Sequence, residues 1–117
     1  MNDDTIRRPV VALDFDGVMN KYHGWKGENT LYKPQTGLPR FIKRVYKDYD
    51  IIIYTCRDIK HVYTWLEENK LRDYITSVTN LKPRAHVYID DRAITYNGDY
   101  DETYKQIKEF KAWWQKQ

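Results

Sequence analysis

The sequence predicts an α/β fold of three layers with a mainly parallel central sheet, and three observations point to it. Apolar, β-branched runs alternate with segments of helical spacing in the order strand, helix, strand, helix, strand, strand, helix. The runs Val10-Val11-Ala12-Leu13 and Ile51-Ile52-Ile53-Tyr54 are continuous, as in strands covered on both faces. Polar residues able to do chemistry follow directly on three of the runs, at the strand edge where an open parallel sheet binds ligands.

Val10–Leu13 opens the sheet and leads into Asp14. Residues 19–34 mix Asn20, Gly24, Gly27 and Asn29 with aromatics and lysines, without a sustained period, which predicts a mobile loop or a short hairpin. From Gly37 the positions Leu38, Phe41, Ile42, Val45 and Tyr49 recur at helical spacing, and Pro39 suits the first turn. Asp48-Tyr49-Asp50 ends that helix before the second strand, Ile51–Tyr54. A second helix is predicted from about Asp58, with Ile59, Val62, Tyr63 and Leu66 on one face and Asn69 near its end. Tyr74–Thr79 reads as a weaker strand, Val87–Ile89 as another, and Ile94–Tyr96 as a short edge strand. The last helix, about Asp101 to Lys116, is expected to bury Tyr104, Ile107, Phe110 and Trp114.

A chain of 117 residues suffices for one domain, 1–117, around one core. No run approaches the length of a membrane span, and Met1-Asn2-Asp3-Asp4 lacks the features of a signal peptide. With a single cysteine, Cys56, no internal disulfide can form, which suits a cytoplasmic protein. Net charge is +3. If the carboxylates gather at one site the remaining surface is more basic than this total and favours phosphorylated partners; the other reading is a solvated surface of mixed charge.

Asp14-Phe15-Asp16-Gly17-Val18, directly after a buried strand, places two carboxylates where they repel unless a cation offsets them. Mg²⁺ suits an all-oxygen site, and His23, His61 and His86 are too dispersed for a zinc set. Thr55 closes the second strand, Lys82-Pro83 follows the third, and Asp90-Asp91 follows Val87–Ile89.

Together, in this order, these pieces resemble the four motifs of the haloacid dehalogenase-type phosphohydrolases, over most of the chain. Val18 stands where many members carry Thr. The resemblance implies a Rossmann-like fold and a Mg²⁺-dependent phosphomonoesterase in which Asp14 attacks phosphorus and forms an aspartyl-phosphate. Asp16 would be the acid for the leaving oxygen and then the base for water, although an unperturbed Asp is only about 0.1% protonated at pH 7, so neighbouring negative charge must favour its acid form. Asp14, the Asp16 backbone carbonyl and Asp91 would ligate the metal, with Asp90 orienting Lys82 or a metal-bound water; the two adjacent aspartates can also share these duties. Thr55 and Lys82 would steady the phosphoryl group. Charge accounting leaves a deficit of positive charge, for which Arg57, Arg92 and Arg84 are candidates, and the Cys56 backbone N–H is a further phosphate donor.

Two rival phosphate chemistries fit less well. In receiver domains the acidic pair comes first in the chain, and here it comes last. A cysteine phosphatase would need an arginine where this sequence has Val62, so Cys56 is expected to be a small buried residue.

Forty residues, 15–54, separate Asp14 from Thr55, and 26, 56–81, separate Thr55 from Lys82. Helices and strands consume both intervals, so the family's inserted cap domain is absent. An open site accepts a nucleotide, another small phosphorylated substrate or the end of a nucleic acid, or borrows a lid through self-association. Selectivity then falls to the loop, where Tyr22 and Trp25 either stack on a base with Lys26 meeting phosphate, or anchor the loop to the domain. A non-catalytic phosphate- or nucleic-acid-binding module on the same fold is the alternative.

Overall fold

The computed structural model describes residues 8–116. Strand β1 (Val10–Asp14) pairs in parallel with β2 (Asp50–Tyr54) on one side and β4 (Val87–Ile89) on the other. β2 in turn pairs in parallel with β3 (Ser77–Thr79), so the sheet order is β3-β2-β1-β4. Helices α1 (Leu38–Tyr46) and α2 (Ile59–Glu68) pack on it at β2 and β3, and α3 (Tyr100–Glu109) follows β4. This is the Rossmann-like α/β arrangement the alternation predicts.

The register decides the location of the chemistry. Asp14 is level with Tyr54, and Tyr54 with Thr79, while Leu13 is level with Ile89, so Asp14, Thr55, Asn80 and Asp90 all emerge at one C-terminal edge. Behind that edge Val11 and Leu13 of β1 and Ile51 and Ile53 of β2 pack with Phe15, Ile42, Val62, Trp65 and Leu66 in one buried cluster. At about 25 cal/mol per Å² of apolar surface, burial of side chains this size contributes about 1.5–3 kcal/mol each. α2 begins where expected because the Asp58 side chain accepts from the Lys60 N–H at 2.9 Å, capping its first turn. Among the described residues no helix is long and apolar enough to cross a membrane.

Four segments differ from the sequence reading. Residues 72–74 form a 3₁₀ turn and β3 is only three residues long; the turn lets Leu71 and Ile75 on either side of it both reach the core. Residues 94–96 form no strand, and Tyr96 stacks on Tyr100 with ring centroids 5.3 Å apart, leaving β4 as the sheet edge. α3 ends at Glu109, and Tyr104 and Ile107 are exposed. The chain leaves the helix at Phe110 and re-forms a 3₁₀ turn at Trp113–Gln115, which brings Ala112 into the interior, Trp113 onto Gly17 after β1 and Trp114 onto Asp91 after β4. Of the two readings of residues 19–34, the hairpin holds at the base. Asn20 pairs with Pro34 in antiparallel fashion, and the Lys21 N–H donates to the Lys33 carbonyl at 2.9 Å.

Candidate active site

A cavity of about 480 Å³, within the usual range for small-molecule sites, opens at the C-terminal edge of the sheet. Asp14, Asp16, Tyr22, Trp25, Thr55, Cys56, Arg57, Asp90 and Asp91 line it, together with Tyr54, Asn80 and Arg92.

Carboxylate oxygens of Asp14, Asp90 and Asp91 lie within 4.8 Å of one another. Their repulsion has a visible consequence. Burial first, then a hydrogen bond with Asp91 and the charges of Asp90 and Asp91, push Asp14 from its ordinary value near 3.8 up to about 9, against the opposing pull of the Phe15 N–H at 2.9 Å. Without a cation the trio therefore retains a proton. Each of the adjacent aspartates is oriented from outside the trio. Asp90 accepts from the Tyr54 hydroxyl at 2.8 Å and from the Arg92 N–H at 2.8 Å. Asp91 accepts from the Trp114 indole at 2.6 Å.

Gly17 makes room for this arrangement. It has φ +85°, and a Cβ built on it would stand 2.1 Å from Asp91 Oδ2. A glycine at the third place of the Phe15–Val18 turn is thus required twice, by its backbone and by the carboxylate pressed against it. The all-oxygen donors and the Asp91 carboxylate seated against Gly17 fit Mg²⁺ at this position.

Asp16 faces other partners. Its carboxylate takes an ion pair from Arg57 Nε at 2.7 Å and a hydrogen bond from Asn20 Nδ2 at 3.0 Å. The neighbouring negative charge expected to favour its acid form is replaced by two donors. Arg57 is buried, donates through Nη1 to the Glu28 carbonyl at 3.1 Å, and lies 4.7 Å from the centroid of the Trp25 ring. Its Nη2 is buried with no acceptor among the described residues. Thr55 is buried and its hydroxyl accepts from the Arg57 N–H at 3.1 Å, which leaves its own proton free to donate.

Lys82 is the clearest departure. It is exposed, does not line the cavity, and holds its ammonium 4.7 Å from the centroid of Tyr88. The physical reason is the loop from β3 to β4, which is tied down by the Tyr88 hydroxyl donating to the Pro83 carbonyl at 2.6 Å and delivers Lys82 to the outer face of the edge strand. Tyr54, not Lys82, meets Asp90. Lys26 is likewise exposed and outside the cavity, and Cys56, expected to be buried, is exposed at the cavity wall. Tyr22 anchors the loop, edge-on to Tyr32 at 5.7 Å and to Trp114 at 5.0 Å. Trp25 gives one contact to Arg57 and stays 57% exposed, so surface remains for a ligand.

Several contributors escaped the sequence reading. Asn80 donates to the Thr55 carbonyl at 2.6 Å and the Arg57 carbonyl at 2.9 Å, fixing the turn after β2. Asn20 accepts from the Gly17 N–H at 3.1 Å. For Asn80 and Tyr54 a signal existed, since each sits at the C-terminal end of a predicted strand. For Trp113, which donates to the Gly17 carbonyl at 2.8 Å across 96 residues, there was none.

The fold and cavity define a Rossmann-like α/β chain with an acidic cavity at the sheet's C-terminal edge. A solved structure, that of a conserved protein from Bacteroides thetaiotaomicron, shares the fold, with a TM-score of 0.58 over 93% of this chain and 97% of that one, at 19% sequence identity. No protein-family model matches the chain, and no curated protein matches it.

Proposed function

We propose that this chain is a Mg²⁺-dependent phosphomonoesterase of the haloacid dehalogenase type, acting on a nucleotide or on the terminal phosphate of a nucleic acid. The observation that carries the reading is the convergence of Asp14, Asp90 and Asp91 within 4.8 Å, in one cavity with Asp16, Thr55 and Arg57. With Asp16 protonated, the carboxylates of Asp14, Asp90 and Asp91 and a dianionic phosphate carry five negative charges against the two guanidinium groups of Arg57 and Arg92, and a divalent cation offsets two of the remaining three. Mg²⁺, held by Asp14, Asp91 and Asp90, would supply the charge that keeps Asp14 ionised and offsets the incoming phosphate.

Asp14 Oδ1 accepts from the Phe15 N–H, and the carboxylate, freed of its hydrogen bond with Asp91 once a cation is held, would attack phosphorus. The new bond is Asp14 oxygen to phosphorus, and the bond that breaks is phosphorus to the leaving oxygen, which takes a proton from Asp16. Water then attacks the phosphoryl group, gives its proton to Asp16, and frees Asp14 and phosphate. Thr55 donates a hydrogen bond from its hydroxyl to a phosphoryl oxygen, and Arg57 Nη2, which has no partner among the described residues, is a further donor. Arg57 and Arg92, candidates for the remaining charge deficit, would also take the electrostatic part that the resemblance gives to Lys82. A free thiol at Cys56 accords with a cytoplasmic setting.

The test is hydrolysis of p-nitrophenyl phosphate with Mg²⁺, with EDTA, and after Asp14→Asn. Turnover in the first condition alone is expected, and equal rates in all three would sink the proposal. One observation favours the second reading, a binding module without turnover: both Asp16 carboxylate oxygens are already engaged, by Arg57 Nε at 2.7 Å and by Asn20 Nδ2 at 3.0 Å. That reading predicts phosphate binding without hydrolysis.

A further inference from the structure

Beside the acidic cavity lies a second one, of about 510 Å³, and the Tyr22 side chain lines both. The two differ sharply in charge. The second is lined by Lys21, Lys33 and His23 with the rings of Tyr32 and Trp113, and by no carboxylate.

The two lysines are fixed opposite each other. Asn20 bridges Pro34 in antiparallel register and the Lys21 N–H donates to the Lys33 carbonyl, so residues 21 and 33 face one another across the hairpin base. Like charges directly opposite on paired strands repel, and an anion between them removes the penalty. Neither ammonium has a carboxylate within salt-bridge distance among the described residues. The aromatic side is equally set: His23 and Tyr32 rings lie 4.6 Å apart, Tyr32 is held by its hydroxyl on the Gly24 carbonyl at 2.7 Å, and Trp113, partly exposed, is held by its indole on Gly17. A preorganised aromatic surface beside paired cations matches a base and its phosphodiester.

We infer that the second cavity binds the nucleotide adjoining the terminal phosphate of a single-stranded nucleic acid. Lys21 and Lys33 hold the phosphodiester, and the Tyr32 and Trp113 rings take the base. The inference rests on the phosphatase reading for the terminal phosphate and narrows its substrate to a strand end. A single strand is required because the base must be unstacked to reach the rings. Two cavities separated by one tyrosine side chain take two successive phosphates of one chain, which a nucleoside monophosphate does not offer.

The experiment measures fluorescence anisotropy of labelled oligothymidylates bearing a 5′- or a 3′-phosphate, with Mg²⁺, on the full chain carrying Asp14→Asn to block turnover. The same chain with Lys21→Gln and Lys33→Gln is compared over a range of salt. Binding should be salt-dependent, and removing two phosphate contacts should lower the slope of log K against log salt by about 1.4. In the Asp14-containing chain, the lysine pair should leave p-nitrophenyl phosphate hydrolysis unchanged and reduce hydrolysis of the oligonucleotide phosphate. Equal affinity and slope with and without the lysines would overturn the inference, and so would no binding of either oligonucleotide. The catalytic reading fails separately: p-nitrophenyl phosphate untouched, with lysine-dependent oligonucleotide binding intact, removes the enzyme and keeps the site.

Discussion

Replacing Gly17 by alanine tests the geometry of the acidic cavity at its tightest point. The backbone there has φ +85°, which costs an L residue about 1–2 kcal/mol. The added methyl would lie 2.1 Å from Asp91 Oδ2 and 2.7 Å from its carboxyl carbon. Carbon contacts sit comfortably at about 3.5–4.0 Å, so the Asp91 carboxylate must shift by roughly 1 Å or more. That shift breaks the 2.6 Å bond from Trp114, a bond to a charged group worth about 1.5–3 kcal/mol. Alanine restricts the unfolded chain and returns about 0.4–1 kcal/mol, leaving a net loss of about 2–4 kcal/mol. Gly37 supplies the control, because its φ is +86° and nothing lies within 4 Å of a built Cβ. Gly37→Ala should therefore cost only the backbone part, about 1 kcal/mol. The assay is thermal unfolding by circular dichroism in EDTA, together with Mn²⁺ binding as a metal readout. Gly17→Ala should melt well below Gly37→Ala and lose metal affinity, which Gly37→Ala retains. Equal melting of the two variants with equal Mn²⁺ affinity would refute the close packing of Gly17 on Asp91.

Other outcomes follow from the same contacts. Asp14 is raised from near 3.8 to about 9, so between these values the folded metal-free chain binds a proton that the unfolded chain has released. Its contribution to stability is complete below about pH 4 and is lost as pH rises toward 9. In EDTA the melting temperature of wild type should fall relative to Asp14→Asn from pH 5 to 8; a gap independent of pH would contradict this, and saturating Mg²⁺ should shrink the dependence. Trp114→Phe keeps a ring against Tyr22 but loses the donor to Asp91, so metal affinity should drop about tenfold and the metal-free chain should lose about 1.5–3 kcal/mol, the worth of that bond. Unchanged affinity would show that the indole does not orient Asp91. Arg57→Met leaves the partly exposed Asp16 without its ion pair and should cost about 2–3 kcal/mol, while Arg57→Lys recovers charge but not the fork that reaches both Asp16 and Glu28. Urea unfolding distinguishes these, and a neutral effect of Arg57→Met would remove Arg57 from the site's framework.

The strands and α2 were legible because their signals are local. Continuous apolar runs at Val10–Leu13 and Ile51–Tyr54, the Asp58 cap, and the helical spacing of Val62 and Leu66 each act within a few residues. The last helix was misjudged because spacing reports which residues could share a face, not whether anything covers that face; Tyr104 and Ile107 keep the spacing and remain exposed. Cys56 was misjudged for a related reason, since the strand ends at Tyr54 and the turn after it faces the cavity.

The sequence by itself determined the alternation, the strand ends and the acidic residues placed there, because backbone periodicity and strand termination are properties of neighbouring residues. Sheet order and register, which only long-range pairing sets, decided that Asp14, Asp90 and Asp91 converge while Lys82 turns outward to Tyr88. The tertiary structure also decided that Tyr54, Asn80 and two tryptophans from the far end of the chain hold the site in shape. Those contacts depend on where strands and loops meet in space, and no pattern of spacing along the chain encodes a hydrogen bond across 96 residues.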